Sequence, residues 1–523
     1  MKGATRLIGV LLAGALLAGA CGDDDDTADT TAAPAGDTTA GGETTAAADG
    51  DAGATLTVGA VLAPPSLDIT QESGAGIPQL LLYNVYETLV KIDDEGEFQP
   101  LLADALPEVS EDGLTYTFAI REGVTFHNGD ELTASDVKFT FDRNKANEAA
   151  PSIIASTFEL VSSVETPDDS TVVLTLTRRS RNFLYNLAQT SGVVIDEETD
   201  PATLATAANG SGPFELSAFT PPESATLIRF DGYWGDPAGV ATVEVRYITE
   251  ASAMANAAKA GDIDIITNIA PELFGEFEAD TDNYETVNGL TSGETILAMN
   301  NSAAPLDQPE VRQAISHAIN KQDIIDAAES GYGQIIGTHS SPTDPWFTEV
   351  DMYPYDPGAA TTLLADAGVA DGTPLRLRLP PTPYAQAAGP IIQQQLNDVG
   401  FDVQIENIEF PLWISEVFTN ADYDLTIISH VEARDVGRFG DPEYYWRYDN
   451  PAVQALLQEA DEAATDQESD DKYAEVLNLI AEDAPVVWLF LLPDLRVIRK
   501  GVSNYPSGTF SLSFDMTGIT KAG

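Results

Sequence analysis

The segment from His430 to Asp449 gathers side chains suited to orienting a small polar ligand. It holds His430, Glu432, Arg434, Asp435 and Arg438, followed by Tyr444, Tyr445 and Trp446. Ring surface with a few fixed charges is what a small-ligand site needs, and Trp413 adds another ring just upstream. A second reading of the same residues stays open, in which the aromatics are core and the charges a solvated loop. No catalytic signature competes. The chain has no Gly-x-Ser-x-Gly elbow, no His-Glu-x-x-His, no phosphate-binding glycine loop and no Cys-His pair. His127, His317, His339 and His430 are scattered, and the many carboxylates single out no glycosidase pair. The residues therefore point to binding without turnover, with no cofactor and no metal. A surface hydrolase is the second functional reading, and an adhesion or scaffold protein the third.

A strand must deliver this segment. The order strand 375–379, helix 385–399, strand 403–408, helix 412–419, strand 424–429 predicts a parallel sheet covered by helices. Ligands of such sheets bind beyond the carboxyl ends of the strands. The strand holding Leu425-Thr426-Ile427-Ile428 therefore points His430, Glu432 and Asp435 at a crevice. Upstream, Pro309 suits a first turn, and Val311, Ile315, Ala318 and Ile319 share one helical face. Asp356-Pro357 opens another helix, with Leu363 and Leu364 inside and Gly368 as its stop. Nearer the start, strands are expected at 56–62, 115–120 and 172–176. Thr133 and Asp136 spell a capping box before a helix that buries Val137 and Phe141. The run 486–492 reads as a buried strand.

Residue 21 is the lone cysteine among 523 residues. Lys2 and Arg6 precede an apolar run, 7–17, too short to span a membrane, and Ala18-Gly19-Ala20 leads into Cys21. The stretch resembles a bacterial lipoprotein signal with its lipobox, though Ala18 stands where Leu is usual and Leu17 falls one place earlier. Residues 1–21 are thus expected to be a signal peptide ending at a lipidated Cys21. Residues 22–54 are Asp, Thr, Ala and Gly with almost nothing larger to bury, and are expected to be a disordered tether. A flexible coil of this length spans roughly 30 Å. The body beyond it is long enough for two or three lobes, and without cysteine pairs it depends on its core. The formal charge of -59 excludes nucleic acid, which needs a basic footprint. Its two remaining readings are solubility in a salty medium and a cationic ligand.

Ordered blocks along the body resemble one family. They are Leu101-Leu102-Ala103-Asp104, Ser110 to Phe118, Arg121 to Gly129, and Leu132 to Val137. Gly210-Ser211-Gly212-Pro213-Phe214, Tyr233-Trp234, Val311-Arg312-Gln313-Ala314 and Asp366-Ala367-Gly368 continue the series. The chain is similar to the extracellular solute-binding proteins of family 5, the dipeptide- and oligopeptide-type receptors of ABC importers. That resemblance implies a two-lobed α/β fold of periplasmic-binding-protein type with an extra subdomain inserted in the first lobe. Residues 55–89, 204–299 and 486–523 would form the first lobe, 90–203 the insert, and 300–485 the second lobe. It implies a monomeric receptor, lipid-anchored on the outer face of the cytoplasmic membrane, that delivers a peptide or similar solute to a permease. Asp435 resembles the family's ammonium-binding aspartate. Its spacing to Gly440-Asp441-Pro442 is longer here, and arginines flank it. Sugars, opines and metal chelates, bound by other members, therefore stay open as solutes.

Overall fold

A computed structural model describes residues 50–71, 74–147, 150–506 and 510–523. Cys21 and nearly all of the expected tether lie outside the described residues. The architecture is built on one eleven-stranded sheet. Its main path runs Phe401–Asn407, Thr373–Leu379, Leu425–His430, Tyr284–Met299, Val486–Arg499, Ile265–Ile266, Thr55–Ala60, Thr242–Tyr247, Ser224–Arg229 and Phe214–Thr220. The first three strands named are parallel to one another, as the alternation predicts. The sheet as a whole is mixed. The reason is that Tyr284–Met299 runs antiparallel to both Leu425–His430 and Val486–Arg499.

Those two long strands carry the chain between lobes. The half of Tyr284–Met299 beyond Glu294 pairs with Leu425–His430, while the far half of Val486–Arg499 pairs with Ile265–Ile266. Between Leu290 and Glu294 their mutual register slips, and it slips again at Thr295 and Ile296. Such bulges bend a strand and raise its twist. Val486–Arg499 is apolar at its start because helices cover both faces there. Val487 and Leu489 join one helical layer, with Ile392 and Leu396 of helix Pro383–Asp398. Val486 and Trp488 join the other, with Val476 and Ile480 of helix Asp466–Asp483.

A separate core holds the stretch 89–194. Four antiparallel strands, Glu108–Val109, Thr115–Ala119, Thr171–Leu176 and Val161–Asp168, pack Phe118 and Leu174 against Phe141 and Val137. The latter two lie on helix Ala134–Ala146, which opens on the expected capping box of Thr133 and Asp136. The remaining large core draws Leu56, Val58, Leu227 and Val243 together with Met516 and Ile519 from the end of the chain. Pro309–Ala318 and Pro357–Asp366 are helical as read, with Asp356 capping the second and Gly368 left-handed just past its end. The expected helix 412–419 is instead a short turn, Phe410–Leu412, continuing into the wider π-type turn Trp413–Thr419.

Candidate functional site

Strand Leu425–His430 ends as the sequence requires, and the loop beyond it turns back on the second lobe. Arg434 adopts φ +60°, a left-handed conformation costly for a side-chain-bearing residue. It starts the tight turn Asp435–Gly440 and leaves the Asp435 side chain only 6% exposed. There Asp435 meets two imidazoles. Oδ1 lies 2.6 Å from His339 Nε2, and Oδ2 lies 3.3 Å from His430 Nδ1. His430 Nε2 is 3.0 Å from the Tyr445 hydroxyl. Glu294, one residue past the bulge in the crossing strand, brings its Oε2 to 3.9 Å from His339 Nε2.

Burial pushes the Asp435 carboxyl up, but His339 and His430 outweigh it and hold the group well below the usual carboxylate range. Burial dominates at Glu294, and Asp435 and Asp344 nearby add to it, so its carboxyl is held well above that range. His339 is subject to opposed influences. Burial disfavours the imidazolium, while Glu294 and Asp435, when ionised, favour it. The neighbouring indole argues against that charge. Trp488 Nε1–H can only donate, and it donates to His339 Nδ1 at 3.2 Å. A proton on Nδ1 would set two donors face to face. We therefore assign a neutral imidazole whose Nε2–H donates to Asp435. With Glu294 protonated, the strongest pull toward the imidazolium is gone, so the assignment is self-consistent.

Glu294, His339 and Asp435 are the set, among the described residues, whose donor atoms all lie within 4.8 Å of one another and could hold a metal ion. A metal-binding imidazole needs a bare nitrogen facing the ion. The Trp488 contact puts the proton on that nitrogen, so the cluster fits a hydrogen-bonding cation better than a metal.

The remaining residues singled out from sequence divide into core and rim. Trp413, Tyr445 and Trp446 are buried and pack in one aromatic core with Phe439 and Trp488. Trp413 Nε1 donates to Thr426 Oγ1 at 2.9 Å, and Phe439 stacks on Trp446 at 4.4 Å. Tyr444 is half-buried against them. His430 stacks nearly parallel on Tyr445. Glu432 is exposed and pairs with Arg438 at 3.0 Å. Of the other histidines, His127 lies 2.9 Å from the Gly212 carbonyl and His317 lies 2.8 Å from that of Pro354, both structural contacts. Sequence reasoning missed His339, Glu294 and Trp488 as members of the cluster. The available signal was Glu294 itself, an acid directly before the apolar run Thr295 to Met299.

The cluster sits behind a seam where the second lobe meets the inserted core. The Arg434 guanidinium lies 3.9 Å above the ring of Tyr185, on helix Phe183–Leu187, and 5.6 Å from that of Trp346. Asn182 donates to the Tyr473 hydroxyl at 2.9 Å. Arg178 pairs with Asp461 at 2.7 Å, Ser180 donates to Asp461 at 2.8 Å, and Arg181 pairs with Asp466 at 2.9 Å.

The family model for bacterial extracellular solute-binding proteins, family 5 (middle), matches residues 97–452. Di/tripeptide-binding protein 1 of Pseudomonas aeruginosa is 28% identical over 480 residues, covering 82% of this chain and 87% of that protein. A glutathione-binding protein of Pectobacterium atrosepticum is 27% identical over 477 residues, covering 85% and 89%. An ABC transporter-associated periplasmic binding protein of Helicobacter pylori, solved with the peptide STSA, matches with TM-score 0.79 at 24% identity, covering 90% of this chain and 98% of that one. No helix among the described residues is long and apolar enough to cross a membrane.

Proposed function

Because the chain belongs to the bacterial extracellular solute-binding proteins of family 5, we propose that it is the binding receptor of an ABC importer. It captures a peptide or similar small polar solute between two lobes and hands it to a permease. The observation that carries this is the seam. Tyr185 and Asn182 of the insert close on Arg434 and Tyr473 of the second lobe, over a buried group of His339, His430, Asp435 and Glu294. Polar groups that converge behind closing walls orient a ligand. Peptide as solute is supported by relatives named for di- and tripeptides that cover most of the chain. The lobe limits belong to this proposal, 55–89 with 204–299 and 486–523, then 300–485 around an insert at 90–203; the separate core over 89–194 supports the insert, while Val486 to Leu491 pack with the cores of the second lobe. A non-peptide solute is the second reading, favoured by Arg434 and Arg438 flanking Asp435.

The test is calorimetric titration of the purified full chain with pooled di- and tripeptides, followed by mass analysis of what is recovered. One peptide per protein, returned intact, is expected. Absence of binding sinks the peptide reading, and cleaved product would make the protein a hydrolase. The membrane anchor is proposed from sequence alone, through lipid on Cys21. Cys21→Ala should move the protein from the membrane fraction of a bacterial host to the soluble one. Equal partition of both forms would rule the anchor out.

A further inference from the structure

We propose that Glu294 is the acceptor for a cationic group of the solute, a primary ammonium or a guanidinium. The inference rests on the reading of this seam as the solute site, and it moves the decisive carboxyl from the loop to the crossing strand.

The argument begins with which lone pairs are free. Asp435 has both oxygens engaged by imidazoles, at 2.6 and 3.3 Å. Asp344, the next acid in the cluster, accepts at Oδ2 from the Ser341 amide at 2.9 Å and from Ser340 Oγ at 3.3 Å, and its Oδ1 is not among the buried atoms without a partner. Glu294 differs. Its side chain is 5% exposed, yet Oε2 accepts no hydrogen bond. The nearest donor, His339 Nε2, is 3.9 Å away with its proton directed at Asp435. A buried acceptor without a donor is a standing cost that an incoming donor removes.

Charge says which donor fits. Glu294, Asp344 and Asp435 form an acidic group whose electrostatic neighbours are His339, His430 and Arg434. The Arg434 guanidinium is drawn off over the Tyr185 ring. A cation, not an anion, completes this balance, and His339 with its proton on Nε2 disfavours a metal ion in that role. Glu294 directly follows the register slip that begins at Leu290, in the irregular part of the crossing strands. Burial keeps that carboxyl protonated when nothing is bound. Pairing with a ligand ammonium leaves it ionised, and its proton passes to solvent.

Three pooled di- and tripeptide libraries test this on the full chain. One has free amino termini and no Lys or Arg. The second is N-acetylated with Lys, and the third is N-acetylated without Lys or Arg. The first two separate an amino terminus from a side-chain cation, and the third carries neither. Wild type, Glu294→Gln and Asp435→Asn are titrated in phosphate and in Tris, whose ionisation enthalpies differ. The expected result is binding of the first or second library with release of up to one proton. Glu294→Gln should weaken binding about a hundredfold and abolish the proton release, the effect of leaving a buried charge without its partner. Unliganded Glu294→Gln should melt no lower than wild type, since it discards an unpaired acid. Binding by Glu294→Gln within threefold of wild type overturns the proposal, as does undiminished proton release or equal binding of the third library. If wild type binds none of the libraries, the peptide reading falls and this inference falls with it.

Discussion

Asp435 and Glu87 are both buried carboxyls, yet they are held on opposite sides of their ordinary range. At Asp435 burial is outweighed by two imidazoles, and the folded state favours the ionised form. Its contribution is present above the unfolded value of about 3.9 and is lost as pH falls below it. Asp435→Asn should therefore destabilise by about 2 kcal/mol at neutral pH in urea unfolding, a gap that shrinks only in acid. A variant as stable as wild type at neutral pH would remove Asp435 from the cluster's support. Glu87 accepts from Ser211 at 2.8 Å, Tyr233 at 2.9 Å and Trp234 at 3.1 Å, which explains the work done by the blocks Gly210 to Phe214 and Tyr233-Trp234. Burial still exceeds those three donors and lifts the carboxyl from 4.5 to about 7. A raised carboxyl stabilises while both states are protonated and loses that contribution as pH rises through the folded value. Between about pH 4.5 and about pH 7 the wild type should lose on the order of 2–3 kcal/mol relative to Glu87→Gln. Parallel stability profiles for the two proteins would refute the assignment. Glu329, also lifted to about 7 by burial, slopes the same way in both and cancels in the comparison.

Strand Leu425–His430 was legible because an apolar run between helical patterns has one placement in such a sheet. The crossing strands were only half legible. Val486 to Leu492 announces itself, but the strand runs on to Arg499 through Asp494 and Arg496, which look like loop. They share one face two residues apart and pair with each other, Arg496 Nε to Asp494 Oδ1 at 2.9 Å. Partners such as Glu294, His339 and Trp488 come from three distant elements, and no local pattern joins them. The same holds for the segment Arg178 to Asn182, whose arginines read as solvated surface. In the fold they grip the end of helix Pro451–Asp461, where carbonyl dipoles favour cations. Besides the Asp461 and Asp466 pairs, Arg179 Nη1 and Arg181 Nε donate to the Ala463 carbonyl at 3.3 and 3.0 Å. These are direct contacts across the seam, so in the proposed two-lobed clamp they favour closure. Exposed pairs are worth at most about 1 kcal/mol each. Reversing two, in Arg178→Glu with Arg181→Glu, should weaken closure by about 1–2 kcal/mol and solute affinity roughly tenfold. Small-angle scattering should show the unliganded variant more extended than unliganded wild type. Identical profiles would mean that closure does not depend on this segment.

At the level of the full chain, 84 acids against 25 bases make self-repulsion the largest long-range electrostatic effect. Ion pairs and net charge predict opposite responses to salt. Screening weakens the seam pairs of Arg178 and Arg181, and by itself would lower stability. Screening also relieves the repulsion of an uncompensated charge of -59, which opposes compaction. The second effect should win, because most acids have no base to pair with: the arithmetic 84 − 25 leaves 59 uncompensated. The melting temperature is therefore expected to rise, on the order of 5 °C, as sodium chloride increases from about 0.05 M to about 1 M. Scanning calorimetry at constant pH measures it, and a potassium chloride series separates screening from specific ion effects. The Arg178→Glu, Arg181→Glu form sharpens the comparison. With two attractive pairs replaced by repulsion it should gain more from salt than wild type. A melting temperature that falls steadily with salt in both proteins would mean that discrete ion pairs, not net charge, govern the stability of this fold.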